Sequence, residues 1–226
     1  MRNFKLSYPA IAPSLLAANE ERLFEEISFA IKEGMKILHF DVMDGKFVPK
    51  TTFGIDLFSK IRVAFPGLLI DTHLMVLDPL RLAPIFGRLE SDIVTFHLEA
   101  YSNKKDILQT IMDTRETGAK VGLSIKPKTD VTALTPYFPY IDLALLMSVE
   151  PGKGGQAFIE SSYERMKALK EYKEKGDFHD LILEIDGGIN DVSGPKAIAC
   201  GADLLVAGSY LFGHDDFGER MKKILR

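Results

Sequence analysis

The sequence predicts an α/β protein, a single-domain (β/α)8 TIM barrel over residues 1–226, and three observations predict it. Eight short runs rich in Val, Ile and Leu recur along the chain. Each is followed by a stretch of helical periodicity, and the length of 226 residues falls in the ~200–250 range of such barrels. The runs are mostly apolar rather than alternating, as expected of strands covered on both faces. A doubly wound open sheet rarely needs eight regular units in so short a chain.

The first strand is expected at 11–16 and leads to a helix near 20–33, closed by Gly34. The second, 36–42, ends in an Asp44-Gly45 turn before a helix at 55–65. The third, 68–74, is followed by a helix at 79–89, with Asp78 as N-cap and Pro79 at the first helical position. The fourth, 92–97, precedes a helix at 104–117 ended by Gly118, and the fifth, 120–125, precedes one at 129–136. The sixth, 141–147, runs through a glycine-rich turn to a helix at 160–175. The seventh, 181–186, leads to 191–200, ended by Gly201, and the eighth, 203–207, to 215–225.

Composition narrows the class: 46% of residues are hydrophobic, too many for a disordered chain, and the net charge of −4 gives no basic surplus for nucleic acid or an anionic membrane. Cys200 is the only cysteine, which excludes an internal disulfide and fits a reducing compartment. No apolar run approaches the ~20 residues that span a bilayer. Met1-Arg2-Asn3-Phe4-Lys5 leads into no signal core, so a cytoplasmic location is expected.

A barrel places reactive groups at the C-terminal ends of its strands. There the second strand carries His39 and Asp41, which leave the same face because they are two apart. The third ends with His73 and the seventh with Asp186. Two nitrogens and two oxygens suit Zn²⁺ or another first-row divalent ion, and a carboxylate near an apolar lumen is costly without a partner. His97 ends the fourth strand and is expected to hydrogen-bond behind the ligands or beside the substrate, whereas His179 and His214 fall in polar loops. Glycine-rich turns follow the last three strands: Gly152-Lys153-Gly154-Gly155, Gly187-Gly188 and Gly208-Ser209. Such turns let backbone N–H groups approach a phosphate closely.

From Ala12 to Gly213 the chain resembles the ribulose-phosphate 3-epimerase family. The resemblance lies in Ala12-Pro13-Ser14-Leu15-Leu16, in the stretch from His39 to Pro49, in Thr72-His73-Leu74-Met75-Val76, in Met147 to Gln156, in Glu184 to Ile189 and in Ala207-Gly208-Ser209. It implies epimerisation at C3 of a ketose phosphate, D-ribulose 5-phosphate to D-xylulose 5-phosphate. It also implies one divalent ion per subunit on His39, Asp41, His73 and Asp186, with zinc the usual assignment and iron, manganese or cobalt the others. Asp41 and Asp186 would be the two acid/base groups, on opposite faces of the centre to be inverted. Ser14 and His73 would meet the substrate, and Gly152, Lys153, Gly154, Gly155, Gly187, Gly188, Gly208 and Ser209 would surround its phosphate. Met43, Met75 and Met147 would line the reacting centre, a place ordinary core filling explains equally well. Family members are commonly dimers or hexamers, so a homo-oligomer is expected.

Lys46, Lys50 and Lys153 stand where the family usually shows His, Asn and Phe, and Asp92 follows Glu90-Ser91 rather than Gly-Ala. These departures leave a hexulose 6-phosphate such as D-allulose 6-phosphate as an alternative substrate. Related barrels that decarboxylate or perform aldol chemistry carry Asp-x-Lys-x-x-Asp, but Met43 stands where that Lys would be. A non-catalytic phosphate-binding barrel would be marked by loss of a ligand or acid/base residue, and none is lost.

Overall fold

A computed structural model describes residues 6–226; the opening five residues read above lie outside them. Eight parallel strands form the barrel: β1 (Ala10–Pro13), β2 (Ile37–Met43), β3 (Leu69–Met75), β4 (Ile93–His97), β5 (Lys120–Ile125), β6 (Leu143–Met147), β7 (Ile182–Asp186) and β8 (Leu204–Ala207). The ladder runs in sequence order from β2 to β8 and then to β1. A parallel bridge between Ser14 and His39 brings β1 to β2 and all but closes the ring. The helices α1 (Leu23–Lys32), α2 (Ile55–Ala64), α3 (Pro79–Arg88), α4 (Lys104–Arg115), α5 (Ser162–Lys175), α6 (Ser193–Ala199) and α7 (Phe217–Ile224) surround it. Among the described residues no helix is long and apolar enough to cross a membrane.

Strand parity divides the core in two. Leu38, Phe40 and Val42 face outward, where Phe40 and Phe58 meet edge to face under the helices. Ile37, Ile93, Leu143, Leu145, Ile182 and Leu204 fill the lumen. Period-two alternation then puts His39, Asp41 and Met43 on the lumen side of β2, in register with Asp71, His73 and Met75 of β3. The apolar layer lies below, and polar groups gather towards the C-terminal mouth.

Several boundaries differ from the sequence expectation. β1 stops at Pro13 because the Ser14 hydroxyl accepts from Leu16 N–H and caps a 3₁₀ turn at Leu15–Ala17, so residues 14–16 are not strand. The helix expected at 20–33 opens as a separate 3₁₀ turn, Glu20–Arg22, before α1. No α-helix occupies 129–136; two 3₁₀ segments, Val131–Ala133 and Thr135–Tyr140, take its place. Pro136 and Pro139 supply no N–H for an i→i−4 ladder, so the chain settles into the tighter winding. The helix ends do follow the glycines: Gly34, Gly118 and Gly201 have φ of 104°, 90° and 110°, left-handed values natural to glycine.

Candidate active site

Four side chains from three strand ends converge at the mouth. One nitrogen or oxygen from each of His39, Asp41, His73 and Asp186 lies within 4.8 Å of all the others. His39 Nε2 is 3.4 Å from Asp41 Oδ1 and 4.0 Å from Asp186 Oδ2. His73 Nδ1 is 3.3 Å from Asp41 Oδ1 and 3.7 Å from Asp186 Oδ2. Local bonds fix these strand ends: Thr52 Oγ1 donates to Asp41 O at 2.7 Å and accepts from Met43 N–H. Ser148 Oγ donates to the carbonyls of Asp186 and Gly187, shaping the turn after β7. Ser14 Oγ donates to Asp41 Oδ2 at 2.7 Å.

The histidines are held from behind. His39 Nδ1–H donates to Asp71 Oδ2 at 2.6 Å, leaving Nε2 buried without a hydrogen-bond partner and turned toward Asp41 and Asp186. An imidazole nitrogen without a hydrogen-bond partner beside two carboxylates, its other nitrogen tied to a third, is a donor set that fits a divalent cation. His73 Nε2 lies 2.9 Å from His97 Nε2, and His97 Nδ1 lies 3.3 Å from Glu99 Oε2. Asp71 and Glu184 form a buried polar layer one step deeper, with Glu184 Oε1 3.8 Å from His39 Nδ1.

Charge states follow these surroundings. Burial opposes charging of His39, but Asp41 and Asp71 outweigh it and hold the imidazole well above its usual range. Burial likewise opposes ionisation of Asp41, yet His39 and His73 hold its carboxyl far below the usual value. Asp186 goes the other way, pushed up to about 6 chiefly by burial, against the pull of His39. Burial, with Asp71 alongside, raises Glu184 well above the carboxylate range. Burial lowers the His97 imidazole to about 4.

The remaining expected residues share one cavity. Ser14, Asp41 and Asp186 line it together with Met43, Met75 and Met147. So do Gly152, Lys153, Gly154 and Gly155, and in the turns after β7 and β8 Gly187, Gly188, Gly208 and Ser209. Gly188 sits at φ 65°, and a Cβ there would meet Phe158 N at 2.5 Å. Met43 and Met75 pack with Val48, and Leu16 and Phe47 lie against them. Lys153 is exposed at the cavity rim, while Lys46 and Lys50 are exposed outside its lining. His214 is exposed, as is His179, which pairs with Asp177 at 2.7 Å. Asp71, Glu184 and Glu99 were not singled out by the sequence reading. The signal was available, since each stands two residues from a strand-end candidate and so shares its parity or its loop.

Comparison with known proteins agrees with this geometry. The sequence profile of the ribulose-phosphate 3 epimerase family matches residues 10–212. The ribulose-phosphate 3-epimerase of Bacillus subtilis is 38% identical over 214 residues, covering 95% of this chain and 97% of its own. That of Aquifex aeolicus is 39% identical over 214 residues, covering 95% and 94%. That of Escherichia coli is 38% identical over 207 residues, covering 92% and 90%. Among solved structures, 3-hexulose-6-phosphate synthase from Salmonella typhimurium superposes with a TM-score of 0.70 at 14% identity, covering 95% of this chain and 96% of that one. The latter likeness bears on the barrel alone.

Proposed function

Because the chain belongs to the ribulose-phosphate 3-epimerase family, and is therefore an isomerase of the epimerase type, we propose that it interconverts D-ribulose 5-phosphate and D-xylulose 5-phosphate, one carboxylate removing the C3 proton and a second, protonated carboxyl delivering one to the opposite face. The observation that carries this reading is the convergence of His39, Asp41, His73 and Asp186 on one mouth beside three glycine-rich turns.

The C3 hydrogen lies α to the C2 ketone, so a carboxylate placed against it can remove it. Inversion then requires delivery from the other face by a second group. Asp41 lies near the C-terminal end of β2 and Asp186 ends β7, with β1 and β8 between them in the ring, so the two reach a bound sugar from different walls. Ser14 holds Asp41 by its hydroxyl, fixing one of the two carboxylates in place. The backbone turns at Gly152–Gly155, Gly187–Gly188 and Gly208–Ser209 would grip the phosphate, binding remote from C3 that orients the sugar. A divalent cation, Zn²⁺ by the two-nitrogen, two-oxygen set, would be held by His39, Asp41, His73 and Asp186 and would supply Lewis-acid stabilisation of negative charge on the substrate oxygens. Met43, beside Asp41, leaves no lysine at the position that aldol and decarboxylating barrels use.

A substrate panel tests the reading. The expected result is a kcat/KM for D-ribulose 5-phosphate well above that for D-allulose 6-phosphate. The reverse order would assign the exposed Lys153 rim to a longer sugar, and turnover of neither would overturn the proposal. Self-association into a dimer or hexamer belongs to the same reading and is read by sedimentation.

A further inference from the structure

We propose that Gln156 is a positioning residue for the sugar phosphate: its side-chain amide shapes the turn after β6 so that Gly154 offers its N–H to the anion. The inference rests on the reading of Gly152–Gly155 as a phosphate grip given above, and it concerns a side chain that reading does not use. Gln156 Nε2 donates to Glu150 O at 2.7 Å and to Lys153 O at 2.7 Å. Both partners are carbonyls, which only accept, so the NH₂ end of the amide must face them and both of its hydrogens are spent.

The local sequence prepares this staple. Glu150-Pro151-Gly152-Lys153 puts Pro and Gly at the two centres of a reversal, and Gly152 at φ 100° has the left-handed value that a type II turn needs there. The two carbonyls held by Gln156 belong to the first and last residues of that reversal. Gly155, at φ 70°, bends the chain back toward them in a conformation natural to glycine. The base of the loop is closed separately, where Ile159 N–H donates to Ser148 O at 2.9 Å.

Two consequences bear on an anion. A carbonyl oxygen facing a phosphate repels it, and here two carbonyls of the loop are turned onto the amide instead. A trans peptide also holds its C=O and N–H on opposite sides, so fixing Lys153 O on Gln156 directs Gly154 N–H away from that side chain. Gly154 lines the cavity, and a Cβ built on it would stand 3.8 Å from Leu16 Cδ2, in the turn after β1 that lines the same cavity.

The experiment uses the full chain and inorganic phosphate as the probe. Wild type is compared with Gln156→Met, which keeps the length of the side chain but has no donor. Three quantities are read: turnover of D-ribulose 5-phosphate, inhibition by inorganic phosphate, and the amide NMR shift of Gly154. In wild type, added phosphate is expected to move the Gly154 resonance and to compete with substrate. In Gln156→Met, KM and the phosphate inhibition constant are expected to rise together by roughly 10-fold, the loss of one hydrogen bond to a charged group. The kcat, Zn²⁺ uptake and melting temperature should stay close to wild type, as a remote grip contributes uniform binding. Phosphate that moves the amides of Gly188 or Gly208 but not that of Gly154 would overturn the role of Gln156 without any variant. An unchanged KM and inhibition constant in Gln156→Met would overturn it too, and both results leave the phosphate reading intact. A wild-type chain in which phosphate moves no glycine amide of the three turns and does not inhibit would overturn the phosphate reading itself, and this inference with it.

Discussion

Ser14 donates its hydroxyl to Asp41 Oδ2 at 2.7 Å across the seam where β1 and β2 meet, and its backbone bridges His39 at the same point. One residue therefore closes the barrel, caps the 3₁₀ turn that follows it and holds a carboxylate of the site. The backbone bridge survives truncation of the side chain, but the carboxylate contact does not. A hydrogen bond to a charged group is worth about 1.5–3 kcal/mol, so Ser14→Ala is expected to lower kcat/KM roughly 10- to 100-fold. Steady-state kinetics check this, and an unchanged kcat/KM would remove Ser14 from the proposed machinery.

Asp92 makes a structural prediction at the opposite end of the barrel. Its carboxylate accepts from Arg62 Nη2 at 2.8 Å and from Ile70 N–H at 2.8 Å, with both charged side chains almost wholly buried. Removing one partner of a buried ion pair typically costs about 3–5 kcal/mol, so Asp92→Ala should lower unfolding stability by that order. Urea denaturation measures it, while turnover per folded molecule should be preserved because the strand N-termini lie away from the mouth.

Much of this arrangement was legible in the sequence. Strands buried on both faces read as apolar runs, and Asp78-Pro79, Gly34, Gly118 and Gly201 mark helix ends through chemistry that acts within a few residues. The site candidates were legible because a period of two fixes which side chains share a face. Residues 129–136 form no α-helix because Pro136 ends the segment and Pro139 follows it, and the apolar pair Leu15-Leu16 reads as strand where Ser14 caps a turn. Asp71, Glu99 and Glu184 were missed for a different reason. Asp71 and Glu184 look solvated until the strands that bury them are known, and Glu99 until its bonds to Lys126 and Thr129 are known.

Gly188 offers a test of the phosphate turns. At φ 65°, with Phe158 N only 2.5 Å from where a Cβ would stand, Gly188→Ala must displace backbone rather than a flexible side chain. The expected outcome is a rise in KM for the sugar phosphate larger than the fall in kcat, since a remote grip contributes uniform binding. An unchanged KM would place the phosphate elsewhere.

Lys153 stands exposed on the rim of the same cavity. As a mobile cation near the proposed phosphate position it should add a screened contact, so Lys153→Ala is expected to raise KM more than it lowers kcat. The difference should shrink as salt is added. A KM unaltered at low ionic strength would return Lys153 to an ordinary solvated loop side chain.

In the proposed reaction Asp41 and Asp186 work at C3 from different walls of the site, one removing a proton and the other delivering one. The most direct measurement is the isotope content of product formed in heavy water. The two-carboxylate account predicts that D-xylulose 5-phosphate formed from D-ribulose 5-phosphate carries solvent deuterium at C3, because the delivering carboxyl has equilibrated with the solvent. Product that retains the original C3 hydrogen completely would contradict it.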